Sequence, residues 1–315
     1  MTNQWSIEGP KVLDIGDEGE TVRALKVSVV GGRVDVVTHD DSPTARVEVT
    51  SIEGPPLKVM WNGDTLRISH GEVFDQESLA SLRSGHGGFT EGTFAKLRQA
   101  FDFERAKVTV SISVPVGARA KLNCVSAAGL LSGLRGGVKV NTVSGSLALT
   151  ELSGATDLNS VSGNVECVDL DGDLKINTVS GAITVQASRV PVAKITTVSG
   201  DIALDLTNNT ASITSNSVSG DVTVRVPQGG YAVEANTFSG QVVANGRTLG
   251  NGQRGPVGST GARHTEGDGA LRVQANSMSG NIVILTTAVV PQDAPQDAPP
   301  ADAPADSPWQ QDEPR

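Results

Sequence analysis

The tripeptide Val-Ser-Gly, or a close variant, returns along most of this chain with its serine at 126, 144, 162, 180, 199, 219, 239 and 279. The intervals are 18, 18, 18, 19, 20, 20 and 40 residues, and a fixed period of this size points to a repeat architecture. Aligned on the serine, the third residue before it is Asn123, Asn141, Asn159, Asn177, Thr196, Asn216, Asn236 or Asn276. The second is Cys124, Thr142, Ser160, Thr178, Thr197, Ser217, Thr237 or Ser277. The residue directly before it is always apolar, from Val125 through Val143, Val161, Val179, Val198 and Val218 to Phe238 and Met278. The glycine after it is Gly145, Gly163, Gly181, Gly200, Gly220, Gly240 or Gly280, with Ala127 in the first copy.

The flanks alternate with period two, the mark of strands with one buried face. Leu147 and Leu149, Val165 and Cys167, Ile183 and Val185, and Ile202 and Leu204 follow the turn; Val138 and Val140, or Leu174 and Ile176, precede it with the opposite parity. This predicts a corner at the Asn-Ser/Thr step and a tight bend at the glycine, since both residue types suit bends. A coil of about 18 to 20 residues cannot bury its apolar face alone, so coils stack at about 4.8 Å with like residues above like. The expected fold is all-β, a single-stranded β-solenoid. Its apolar columns, Val143, Val161 and Val179 included, form internal rows, its asparagines a structural hydrogen-bonded ladder and its glycines a column of turn residues.

The same reading divides the chain into a flexible start (1–19), a β-rich N-terminal part of the solenoid (20–114), regular repeats (115–286) and a disordered Pro/Ala/Asp tail (287–315). In the second part Gly31-Gly32 and Asn62-Gly63 read as hairpin-like turns. The pattern breaks at 74–106, where Phe94, Leu97 and Phe101 share a helical stripe. The 40-residue interval holds a Gly-rich insertion (246–269) with Arg247, Arg254, Arg263 and His264. It reads as a connector inside one coil. Proline and the scarcity of apolar groups make the tail an expected disordered segment, and Trp309 a stray tail residue.

Thirty-six glycines with only 3% aromatics suit a slim repeat array filled by Val, Leu, Ile and Ala. The net charge of −10 is concentrated in part in the last 25 residues, which hold six acidic residues against Arg315 alone. A mildly acidic body without a Lys/Arg cluster argues against nucleic acid and anionic lipid as partners. No signal-peptide pattern and no membrane-length apolar run is seen, so a cytoplasmic protein without membrane insertion is expected. Cys124 and Cys167 fit a reducing compartment as two small buried residues.

Chemistry is not apparent. A serine nucleophile needs a base within reach, and His39, His70, His86 and His264 match no repeat position. The charges Asp157, Glu166, Asp201, Asp205, Asp221 and Arg225 read as scattered rather than paired for acid-base work. Gly85-His86-Gly87-Gly88 lacks phosphate-loop spacing, and no metal-ligand spacing is present. No catalytic, cofactor or metal site and no small-molecule ligand is therefore expected. The shared parity of Thr142 with Ser144, repeated at 160/162, 178/180 and 197/199, could present hydroxyl pairs in register, but turn hydroxyls that satisfy backbone groups explain it better.

Asn-Thr-Val-Ser-Gly followed by alternating apolar residues, with the lead-in VPVGARAKLNCVSAAG and the segment GDTLRIS, resembles the bacterial putative-adhesin β-strand-repeat family of uncharacterised domains over about residues 20–286. The resemblance implies a β-solenoid of unknown activity, sometimes associated with envelope-stress signalling, and supplies no catalytic residues. The functional expectation is a non-catalytic scaffold or protein-interaction module with a protein partner or self-association. The alternatives are a polysaccharide-binding or polysaccharide-cleaving β-helix and a bactofilin-like polymer.

Overall fold

The computed structural model describes residues 3–16, 19–70, 106–227, 229–249 and 260–287. It is all-β, with no helix among the described residues. The expected helix near 93–101, most of the 74–106 insertion and the tail from 288 lie outside them. The N-terminal strands are β1 (Asn3–Ile7), β2 (Lys11–Ile15), β3 (Ala24–His39), β4 (Ala45–Glu53), β5 (Leu57–Trp61), β6 (Thr65–His70), β7 (Lys107–Pro115) and β8 (Arg119–Ser132). The regular coils bring β9 (Val138–Thr142) and β10 (Leu147–Thr150), β11 (Thr156–Ser162) and β12 (Val165–Val168), β13 (Leu174–Ser180) and β14 (Ile183–Ser188). They continue with β15 (Val192–Ser199), β16 (Ile202–Leu206), β17 (Ser212–Ser219) and β18 (Val222–Pro227). The chain then forms β19 (Tyr231–Ser239), β20 (Val242–Ala244), β21 (Arg247–Thr248), β22 (Thr260–Glu266), β23 (Leu271–Ser279) and β24 (Ile282–Thr287).

Each coil gives one strand to each of two faces. The first face runs β1, β5, β6, the first half of β3, the first half of β8, β9, β11, β13, β15, β17, β23, β19, β22. The second runs β2, β4, β7, the remainders of β3 and β8, β10, β12, β14, β16, β18, β24, β20, β21. A narrow third side, marked by the bridges Ser153↔Asp171 and Asp171↔Arg189, returns the chain to the first face. Inward rows such as Val27, Leu122, Val140, Leu158, Ile176 and Ile195 stack down the middle and are fully buried. Burial of each such side chain stabilises by about 1.5–3 kcal/mol, so the stack rather than any single coil holds the fold.

The interior pairings are parallel and the ends antiparallel, and both ends depart from sequence order. At the N-terminus β3 sits against β8, the chain returns through β4 and β5 in the reverse direction, and β6 with β7 fills the gap. At the C-terminus β19 and β20 lie one coil out, β21 and β22 cover them antiparallel, and β23 with β24 slots between β17/β18 and β19/β20. The described parts of 246–269 are thus an end cover with strands of their own, and the 40-residue interval is a change of stacking order rather than an excursion within one coil. Residues 3–7 and 11–15 are strands too, where a flexible start was expected. Gly31-Gly32 is not a hairpin: β3 passes straight through it, and the pair is where the strand crosses from one face to the other, with Gly32 at φ 105°. Asn62-Gly63 does close the β5–β6 hairpin, with the Thr65 N–H donating to Asn62 Oδ1 at 2.9 Å.

The expected corner at the Asn-Ser/Thr step is absent. Asn159, Ser160 and Val161 lie within β11, and the inward side changes phase only across Val-Ser-Gly and the residue after it. The reason is that two residues of one strand cannot both face inward while adjacent, so the bend alone absorbs the parity change. At Gly181 the backbone has φ 112° and a Cβ would fall on the Gly163 carbonyl oxygen of the preceding coil, so both torsion and stacking require glycine.

Candidate functional site

The bend places three columns side by side, each for its own reason. Inward, Thr142 Oγ1 donates to the Ser144 carbonyl at 3.0 Å and Thr178 Oγ1 to that of Ser180 at 3.0 Å, which ties the turn from within. The serine hydroxyls reach back one coil: Ser144 Oγ donates to the Val125 carbonyl at 3.3 Å and Ser180 Oγ to that of Val161 at 3.3 Å. Thr142, Ser160, Thr178 and Thr197 are buried, so no exposed file of hydroxyl pairs exists there. Just past the glycine, side-chain acceptors cap the next coil: Asn164 Oδ1 accepts from the Ala182 N–H at 3.1 Å, and Asp201 Oδ1, read from sequence only as a scattered charge, from the Asp221 N–H at 2.9 Å.

The apolar residue before each serine points outward, contrary to the expected internal row. Val179, Val198, Val218, Met278 and Phe238 stand in that spatial order along one edge, each 43% to 60% exposed, and Val125, Val143 and Val161 continue the line half-buried. Exposed single apolar residues are ordinary, but an uninterrupted row is not. The coil stacking sets the spacing of the row at about 4.8 Å.

Along the first face the asparagines stand on the outer side of their strands. Asn141 donates to Asn123 at 2.9 Å, Asn159 to Asn141 at 3.1 Å and Asn177 to Asn159 at 2.9 Å. Thr196 interrupts the series, which resumes with Asn276 donating to Asn216 at 3.0 Å and Asn236 to Asn276 at 3.1 Å. Two residues upstream runs a second file whose register is Arg67, Lys26, Lys121, Lys139, Asp157, Lys175, Lys194 and then Thr214. The charges of this face are therefore grouped, where the sequence reading found no Lys/Arg cluster. Lys26 and Arg67 lie outside the repeat alignment, and cations 18 residues apart do not look like neighbours until coils stack.

The candidate reactive residues are not brought together. Cys124 and Cys167 are free and buried, and burial pushes both thiols up to about 12. His70 is buried, with its Nδ1 accepting from the Val30 N–H at 3.4 Å, and burial lowers its pKa. A shallow cleft of about 330 Å³ on the narrow side is lined in part by His39, Asp40, Arg135, Glu151 and Ser153; His39 Nδ1 lies 3.0 Å from Asp41 Oδ1. Its two lining carboxylates, Asp40 and Glu151, are both exposed. Among the described residues no His, Cys, Asp and Glu side chains group as metal ligands would, and no helix is long and apolar enough to cross a membrane.

A family model described as Toastrack DUF4097 matches residues 59–285. Two solved structures match the chain. One is described as a putative cell adhesion protein from Clostridium sporogenes, at 13% identity and TM-score 0.24, covering 88% of this chain and all of that one. The other is described as a putative adhesin from Parabacteroides distasonis, at 16% identity and TM-score 0.40, covering 88% of this chain and 97% of that one. No curated protein matches the chain.

Proposed function

The chain belongs to the Toastrack DUF4097 family, and with that as premise we propose that it is a non-catalytic, adhesin-like scaffold whose protein partner docks on the apolar ridge. The ridge is the observation that carries this reading. A polar residue would serve as well at an outward position beside the bend, yet Val179, Val198, Val218, Met278 and Phe238 are all apolar and exposed. Stacking fixes their spacing and rigidity, so a partner binds without ordering a loop. Any part in envelope-stress signalling acts through the partner seated there, and the two free, buried thiols suit the cytoplasmic setting included in this proposal.

The test is site-specific photo-crosslinking in the native host. A photoreactive residue at 238 or 278 is expected to give discrete protein adducts, and one at Thr223 on the second face none. Adducts of equal yield at all three positions, or at none, overturn the reading.

A further inference from the structure

We infer that the first face binds an extended anionic polysaccharide along its file of cations. Arg67, Lys26, Lys121, Lys139, Lys175 and Lys194 occupy one register column across seven consecutive coils, with Asp157 as the single carboxylate among them. At the coil spacing the column is about 29 Å long. The whole chain carries a net charge of −10, so this concentration of positive charge runs against the charge of the molecule.

Like charges directly opposite on neighbouring strands oppose pairing, and the column repeats that arrangement several times. Within the file Lys139 Nζ pairs with Asp157 Oδ2 at 2.7 Å. A polymer with regularly spaced anionic groups relieves the like-charge opposition. Beside the cations, about 6.6 Å away along the strands, run the ladder asparagines. In Asn141 and Asn177 one amide hydrogen is used within the ladder and the second is left for a ligand hydroxyl, whereas Asn159 donates its second to Asp157 Oδ1 at 3.2 Å. Charge for the anionic groups next to amides for the hydroxyls matches a charged glycan.

Among the described residues this face presents no outward aromatic side chain in these coils. Base stacking, which single-stranded nucleic acid uses, therefore has no platform. A single file is also narrower than the basic patch that holds a protein on an anionic bilayer.

Binding of the full-length protein to polygalacturonate and to dextran sulfate tests the inference, with neutral dextran, oligo-dT and vesicles containing phosphatidylglycerol beside them. At least one anionic glycan is expected to bind, at least tenfold more weakly when salt is raised, and neutral dextran not at all. The triple change Lys121→Glu, Lys175→Glu, Lys194→Glu is expected to lower that affinity at least tenfold, and Asp157→Asn to raise it two- to fivefold. A charge-matched control on the second face, Arg46→Glu, Arg225→Glu, Arg247→Glu, is expected to change it less than twofold. If the Lys-to-Glu protein does not fold, the Lys-to-Gln triple variant takes its place, with a loss of at least threefold expected. Equal losses in the file and control variants, no binding to either anionic glycan, or tighter file-dependent binding to oligo-dT or to vesicles each overturn it.

Discussion

The side-chain amide of Asn177 donates to the Asn159 carbonyl oxygen at 2.9 Å, one rung of a ladder in which every amide points the same way along the stack. Aligned amide dipoles polarise one another, so an inner rung supports its neighbours. Thr196 is the position where the series stops, between Asn177 and Asn216. Thr196→Asn is expected to join the two segments and stabilise the protein by about 1 kcal/mol, and Asn159→Leu to destabilise it by about 1–3 kcal/mol through its two lost rungs. Urea denaturation checks both; a Thr196→Asn protein with a lower midpoint than the parent counts against a continuous ladder.

Backbone torsion separates two positions that look interchangeable. Gly181→Ala meets a left-handed φ and the Gly163 carbonyl together, and is expected to destabilise by about 2–5 kcal/mol. Ala187 also has a positive φ, 49°, but is exposed and sits where β14 carries one residue more than β16. Ala187→Gly is expected to stabilise by about 0.5–1 kcal/mol, because relief of left-handed strain exceeds the entropy glycine adds to the unfolded chain. Thermal unfolding of both variants gives the two signs.

The two thiols offer a probe of the core. Burial pushes Cys124 and Cys167 up to about 12, the nearby Glu166 adding to the second, so near the ordinary thiol pKa of about 8.5 neither supplies thiolate in the folded protein. Ellman's reagent is expected to label neither until denaturant is added, and then both. Stoichiometric labelling of the native protein within minutes contradicts this packing.

Much of this fold was legible in the sequence because the repeat makes like residues neighbours: the Asn159–Asn177 rung and the Gly163–Gly181 stack both follow from a shift of one coil. Stacking order was not, since Asn216 finds the same chemistry in Asn276 as in Asn236, and identical rungs cannot say which coil comes next. The left-handed column Gly133, Glu151, Asp169, Ala187 was hidden because only its first member is glycine. The direction of Val179 was hidden by the parity change within the bend itself. Of the candidate site, then, the sequence displayed the apolar residues but not their exposure. The cation file depends on Lys26 and Arg67, which no repeat alignment reaches.

His70 makes the N-terminal part of the solenoid acid-sensitive. Its ring is fully buried, its Nδ1 accepts from the Val30 N–H, and its Nε2 finds no hydrogen-bond partner among the described residues, so the neutral form is favoured and the pKa falls below the ordinary 6.5. In the unfolded chain the imidazole takes up a proton as pH drops through about 6.5, while in the folded chain it stays neutral to a lower pH. The unfolded state then binds more protons, so stability is complete above 6.5 and declines as pH falls toward the folded pKa, by up to about 1.4 kcal/mol per pH unit. His70→Leu keeps an apolar side chain of comparable size at this buried position and is expected to flatten that slope, at a loss of about 1 kcal/mol at neutral pH for the Val30 N–H left without its acceptor. Urea midpoints between about pH 5 and 7.5 for the parent and the variant measure the difference. Parallel pH profiles in the two proteins mean that His70 is not the group whose burial sets the acid limit of this end of the stack.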